Sequence, residues 1–148
     1  MPKEVIIGNQ VWMTENFRGG ENKTPSDGSW NSSKYGDIYT FSQAISNAPK
    51  GWHLPDVEEF NELSNFIKHS DNPKKLWRQF NIIFFNGRAS FWTSTTLQQV
   101  GGSAVRCFMA EMRKDNFDAG IYRFETFDKG EIYAYPARYV KDLERGIE

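Results

Sequence analysis

Two short apolar runs, Val5-Ile6-Ile7 and Val11-Trp12-Met13, flank Gly8-Asn9, and this predicts a hairpin of two strands across residues 5–13. Further on, Phe60, Leu63 and Ile67 recur at helical spacing and predict a helix over 57–68. Asp56 stands three residues before Glu59, the spacing of a capping box in its Asp variant. A shorter helix is expected over 41–47. A third starts at Asp71-Asn72-Pro73, with Pro73 suited to the first helical position, and holds Leu76, Trp77 and Phe80.

From residue 81 the rhythm shortens towards alternation. Strands are predicted over 81–85 and 90–95 around Asn86-Gly87, then over 103–112, where Val105 and Cys107 alternate with Arg106 and Phe108. Residues 98–102 read as a loop and 114–118 as a turn. Strands over 121–127 and 131–135 flank Asp128-Lys129-Gly130, and a last strand is expected over 137–140. Residues 35–40 read as extended, and 18–34 as a polar loop that contains Trp30. A hairpin, then two to three short helices, then a mostly antiparallel β-sheet is an α+β layout in one domain, 1–148.

The stretch 49–63 joins these parts. Pro49-Lys50-Gly51 reads as a turn, and Pro55 biases Leu54 to an extended backbone. Trp52 and Leu54 then form an anchor that feeds the capped helix.

Composition narrows the function classes. The chain has 148 residues, enough for one sizeable core, with 39% hydrophobic and 25% charged residues. Aromatic residues reach 16%, which favours an aromatic core or an aromatic binding surface. A net charge of −1 gives no field towards nucleic acid. The basic cluster Lys68, His69, Lys74, Lys75 and Arg78 reads as a solvated face. No apolar run approaches the roughly 20 residues of a membrane helix, so no membrane insertion is expected. No signal peptide is expected from the N-terminal residues. One cysteine, Cys107, excludes an internal disulfide, and two histidines exclude a His-rich zinc site. Both fit folding in a reducing cytoplasm.

No Gly-x-Ser-x-Gly elbow and no phosphate loop occurs. Cys107 reads as a small core residue. His53 reads as a hydrogen-bonding residue that fixes the turn, and Glu59 as the helix cap. The oxygen-rich Asp115-Asn116-Phe117-Asp118 reads as a β-turn before it reads as an ion site. No metal ligand set, no cofactor and no catalytic residue is expected. A binding surface is the more informative option. Alternation puts Glu131, Tyr133 and Tyr135 on one strand face, and Arg123 and Glu125 share another. Trp30 is either a pin for its loop or part of the same surface. Tyr133 and Tyr135 are either ligand contacts or strand residues that meet a neighbour.

Five blocks carry a resemblance. They are Ile-Gly-Asn-Gln-Val-Trp-Met-Thr-Glu-Asn (7–16), Tyr-Gly-Asp-Ile-Tyr-Thr (35–40), Pro-Lys-Gly-Trp-His-Leu-Pro (49–55), Phe-Trp-Thr-Ser-Thr (91–95) and Val-Lys-Asp (140–142). In this order they resemble the Fibrobacter succinogenes major paralogous domain over nearly the whole chain. The resemblance implies a C-type-lectin-like fold, distantly related to formylglycine-generating enzymes, and says more about fold than function. It makes Trp12, Trp52, His53, Leu54, Glu59 and Trp92 structural anchors. It also implies that late strands and loops carry the contact surface, with Trp30, Arg123, Glu125, Tyr133 and Tyr135 as candidate ligand-binding residues.

The departures matter as much. The resemblance implies a cysteine just before Pro-Lys-Gly-Trp and another just before the final Val-Lys-Asp. Ala48 and Tyr139 stand there instead. The copper-binding cysteine pair of aerobic formylglycine-generating enzymes cannot be built from Cys107 alone, and the Glu-Pro-Asn, Gln-Pro-Asp and Trp-Asn-Asp motifs of calcium-dependent sugar binding are absent. The function expected is a non-catalytic binding or decoration module on a phage virion or cell surface, with a surface glycan or protein as partner. The alternatives are a structural assembly protein whose late strands form subunit contacts (other virion subunits, or copies in a homo-oligomer) and a degenerate formylglycine-generating-type enzyme.

Overall fold

The computed structural model describes residues 3–19, 36–82, 88–98, 105–115, 118–127 and 135–143. For residues 88, 96–98, 105–115 and 118–127 it describes the backbone path.

The first hairpin forms as β1 (Glu4–Ile7) and β2 (Gln10–Met13), closed by Gly8-Asn9 with Ile7 opposite Gln10. Among the described residues three helices follow: α1 (Phe41–Ser46), α2 (Val57–Lys68) and α3 (Pro73–Phe80). Each has a side-chain cap for its first backbone N–H groups. Thr40 and Gln43 form one capping box, and Asp56 and Glu59 form the other. Asn72 Oδ1 accepts from Lys75 N at 3.2 Å, with Pro73 in the first helical position.

The late chain forms β3 (Arg88–Gln98), β4 (Val105–Asp115) and β5 (Asp118–Phe127), and β6 (Val140–Asp142) closes the fold. Among the described residues the strands form two three-stranded antiparallel sheets, in the orders β1-β2-β6 and β3-β4-β5. The molecule is therefore an α+β domain in which the end of the chain returns to its beginning.

Four local expectations change. Asn81 does not open a strand; it ends α3 in the left-handed region, at φ 61°, as short polar residues tolerate at a helix C-terminus. The turn over 114–118 is tighter, because Lys114 and Asp115 stay in β4 and Asp118 already pairs with Asp115. The last strand lies at Val140–Asp142, not 137–140. Pro136 has no N–H to give to a ladder, and the carbonyls of 136, 137 and 139 instead accept from Trp92, Phe17 and Met13 at 3.3, 2.9 and 3.2 Å. Of the strand expected over 131–135 only Tyr135 is described, as an isolated pairing with Tyr39. Residues 83–87, 99–102 and 128–134 lie outside the described residues.

Alternation along the strands divides the core in two. Trp12, Phe91 and Val140 face one cluster, with Ile7, Phe60, Leu63, Ile67 and Phe80. Their chain neighbours Met13, Trp92 and Tyr139 face the other, with Tyr39, Ala44, Leu54 and Ala137. Successive side chains on an extended segment point to opposite sides, so three dipeptides tie both clusters together. Trp12 packs on Phe60 at 5.2 Å between centroids and edge-on to Phe80 at 5.5 Å. Trp92 meets Tyr135 and Phe41 edge-on at 5.4 and 5.8 Å.

Tyr139 is fully buried, and its hydroxyl donates to Ala44 O at 2.6 Å. Ala44 lies in the last turn of α1, where carbonyls run out of helical donors. This bond joins α1 to the closing segment, the connection for which the family resemblance leads one to expect a disulfide. Burial raises the Tyr139 pKa above its ordinary value. The unfolded phenol ionises near pH ~10. Above that pH the native state holds the proton more tightly, so its stabilisation is present below about pH 10 and declines as pH rises further. Tyr139→Phe should cost about 1 kcal/mol at neutral pH. The wild type's advantage should shrink above pH ~10, as urea midpoints of the two proteins will show.

Candidate functional site

The anchor around residues 49–63 is held by backbone first. Trp52 N donates to Pro49 O at 2.9 Å and closes the turn. His53 and Val140 exchange backbone hydrogen bonds at 2.9 and 3.0 Å, so the anchor runs beside the closing strand. On its other side, Ser94 N donates to Pro55 O at 2.8 Å and Val57 N to Thr95 Oγ1 at 2.9 Å. Leu54 is buried, and Trp52 is half-buried with Lys141 Nζ 4.7 Å from its ring centre. The side chains of His53 and Glu59 meet with Nε2 2.8 Å from Oε2 and 3.0 Å from Oε1. Glu59 Oε1 also accepts from Asp56 N at 3.1 Å. One carboxylate thus caps α2 and fixes the exposed imidazole. Trp12 and Trp92 are fully buried; their indole N–H groups donate to Gln10 Oε1 at 3.0 Å and Tyr39 O at 2.7 Å.

The candidate contact residues are distributed differently. Tyr135 is half-buried, exchanges backbone bonds with Tyr39 at 2.9 and 3.0 Å, and rests its ring against Trp92. Arg123 and Glu125 lie in β5 with backbones opposite Glu111 and Met109; their side chains lie outside the described residues. Trp30, Tyr133, Asn116 and Phe117 also lie outside them. Cys107 pairs through its backbone with Thr96 and Phe127. Among the described residues no three His, Cys, Asp or Glu side chains converge as a metal set, and no helix is long and apolar enough to cross a membrane.

The most consequential residue that sequence reasoning passed over is Arg138, which is fully buried. Its Nε and Nη2 donate to Asn16 Oδ1 at 3.2 and 2.9 Å, Nη2 also donates to Asn81 O at 3.1 Å, and Nη1 donates to Phe80 O. The guanidinium carbon stands 4.7 Å from the Phe80 ring centre and 5.5 Å from that of Phe91. Burial pushes the guanidinium down to about 9, while Glu15 acts in the opposite direction, so the group is charged at neutral pH. The signal was a lone cation within the otherwise compact Pro136-Ala137-Arg138-Tyr139-Val140 segment. A long charged side chain is rarely buried without partners. Tyr39 was also missed; its hydroxyl donates to Gly19 O at 2.8 Å and pins the start of the polar loop.

The described residues include two surface clefts. One, of about 290 Å³, places Lys3, Glu15 and Arg18 around Met13, Phe17 and Pro49. The other, of about 630 Å³, lies between the Gly8-Asn9 turn and α2.

A hairpin clasped to the chain's last strand, with a capped helix sprung from a Trp-x-Leu anchor, defines a small α+β scaffold domain. The chain belongs to the Fibrobacter succinogenes major domain family, whose model matches residues 5–81, from the first strand to the end of α3. The match covers the hairpin, the anchor and the three described helices, and stops short of β3–β6. Comparison with curated proteins and with solved structures gives no match.

Glu59→Ala should destabilise the domain by about 1 kcal/mol through loss of the cap. His53→Ala should cost less than this, because the imidazole is half exposed and such pairs contribute little. Thermal unfolding of both variants checks the order.

Proposed function

We propose that this domain is a non-catalytic binding or decoration module that contacts a surface glycan or protein, on a phage particle or a cell surface. The observation that carries the reading is Tyr135. It is partly buried, its backbone is paired with Tyr39 and its ring rests on the buried Trp92. An aromatic residue held in this way costs little further ordering on binding. Tyrosine also combines an apolar face with a polar tip. Beside it, β3, β4 and β5 run for 11, 11 and 10 residues, against 3 or 4 in the other sheet. Arg123 and Glu125 belong to β5 of this sheet. In the anchor, the one His–carboxylate pair is committed to the cap of α2, which supports scaffold work over catalysis.

Lectin-like ancestry is the finer form of this reading and rests on the resemblance. Synthesis in a reducing cytoplasm is supported by the Tyr139–Ala44 bond, which joins α1 to the closing segment without oxidation. The structural-assembly alternative draws on β5, the outer strand of its sheet among the described residues, since edge strands accept further strands. A degenerate enzyme would depend on Cys107, so an unchanged Cys107→Ser protein removes that option.

The test is saturable binding of the full chain to immobilised envelope fractions and to purified virus particles. Tyr135→Ala should weaken binding about tenfold or more, as loss of an aromatic anchor does. Tyr135→Phe keeps the packing on Trp92 and separates folding from contact. A free cytosolic monomer that binds neither preparation would contradict the proposal.

A further inference from the structure

The larger cleft has a chemistry of its own. Phe66 stands on α2 at 49% exposure, although Phe60, Leu63 and Ile67 of the same helix are buried. Its ring rests on the hairpin turn. Gly8 has φ +64°, and a Cβ there would lie 3.2 Å from Phe66 Cδ2. The glycine therefore both makes the turn and leaves a seat for the ring, so the exposed aromatic is held in place.

Planar polar groups surround it. Glu62 and Asn65 come from the same helix, and Asn9 and Gln10 from the turn. Gln10 is 5% exposed, and its Oε1 accepts from Trp12 Nε1, which sets the orientation of its amide. The cleft is an open groove of about 630 Å³. Its lining holds one carboxylate and no cation, which disfavours phosphates and other anions.

A neutral sugar ring matches these features. One face carries C–H groups that stack on an aromatic ring, and its edge carries neighbouring hydroxyls that pair with amide and carboxylate groups. We propose that this groove binds a neutral saccharide unit, with Phe66 as the stacking platform and Glu62, Asn65, Asn9 and Gln10 as hydroxyl partners. The inference rests on the binding-module reading but uses a surface apart from Tyr135 and β5.

The experiment titrates the full, nitrogen-15-labelled chain with maltose, cellobiose, lactose and N,N′-diacetylchitobiose and follows backbone amide shifts. At least one sugar should give saturable shifts at Gly8, Asn9 and Asn65. Phe66→Ala should weaken that binding by at least about tenfold, and Asn65→Ala, at an exposed helix position, should weaken it with the fold intact. Shifts confined to β5 and Tyr135 would overturn this site while leaving the binding-module reading standing. Absence of any saturable shift would also overturn it. So would self-association lost in Phe66→Ala without a sugar effect, which would make the groove a contact between copies.

Discussion

The fold depends on one buried guanidinium. Arg138 collects the side chain of Asn16 from the segment after the first hairpin and two carbonyls from the C-terminal end of α3. A helix C-terminus presents unpaired carbonyls and the negative end of its dipole, so a cation is the natural partner. The planar fork can serve several acceptors at once, where an ammonium cannot serve them in one plane. Desolvating the charge is costly, and the hydrogen bonds together with the Phe80 and Phe91 rings offset that cost. Gly36 belongs to the same arrangement. A Cβ at that position would stand 2.7 Å from Asn16 Cβ, so the residue packed against Asn16 has to be glycine.

Around this point the chain closes by short links rather than a covalent one. β6 pairs with β2, the anchor pairs with Val140, and Tyr139 reaches α1. All three links run through residues 138–142, so the end of the chain holds the two core clusters together. A disulfide would act mainly on the unfolded chain. The Tyr139 hydroxyl acts instead within the native core, where its bond is strengthened by low dielectric and lost if the phenol ionises.

The sequence was most legible where local rules are strong. The hairpin at Gly8-Asn9, the Asp56–Glu59 capping box and Pro73 at a helix start each carry their own signal, and α2 spans Val57–Lys68 as its spacing predicts. Legibility fell where long-range partners decide. Asn81 looked like a strand residue because apolar residues follow it, yet it ends α3 under Arg138. The closing strand moved because Pro136 and the donors of residues 13, 17 and 92 set its register. Arg138 and Tyr39 were overlooked for the same reason, since their partners lie 122 and 20 residues away. The groove at Phe66 was hidden too, because a helical pattern shows which residues are apolar but not which one a glycine turn keeps on the surface.

Two aromatic rings, Phe66 at the surface and the partly buried Tyr135, are held against this scaffold. Its precision rests on the clasp at Arg138. The most direct measurement is native-state hydrogen exchange of Arg138→Lys, which keeps the charge and removes the fork. The account predicts that the amides of Met13, Phe17, Asn81 and Val140 lose protection together, since all lie in segments that Arg138 joins. Wild-type protection at Met13, Phe17 and Val140 with loss at Asn81 alone would contradict it.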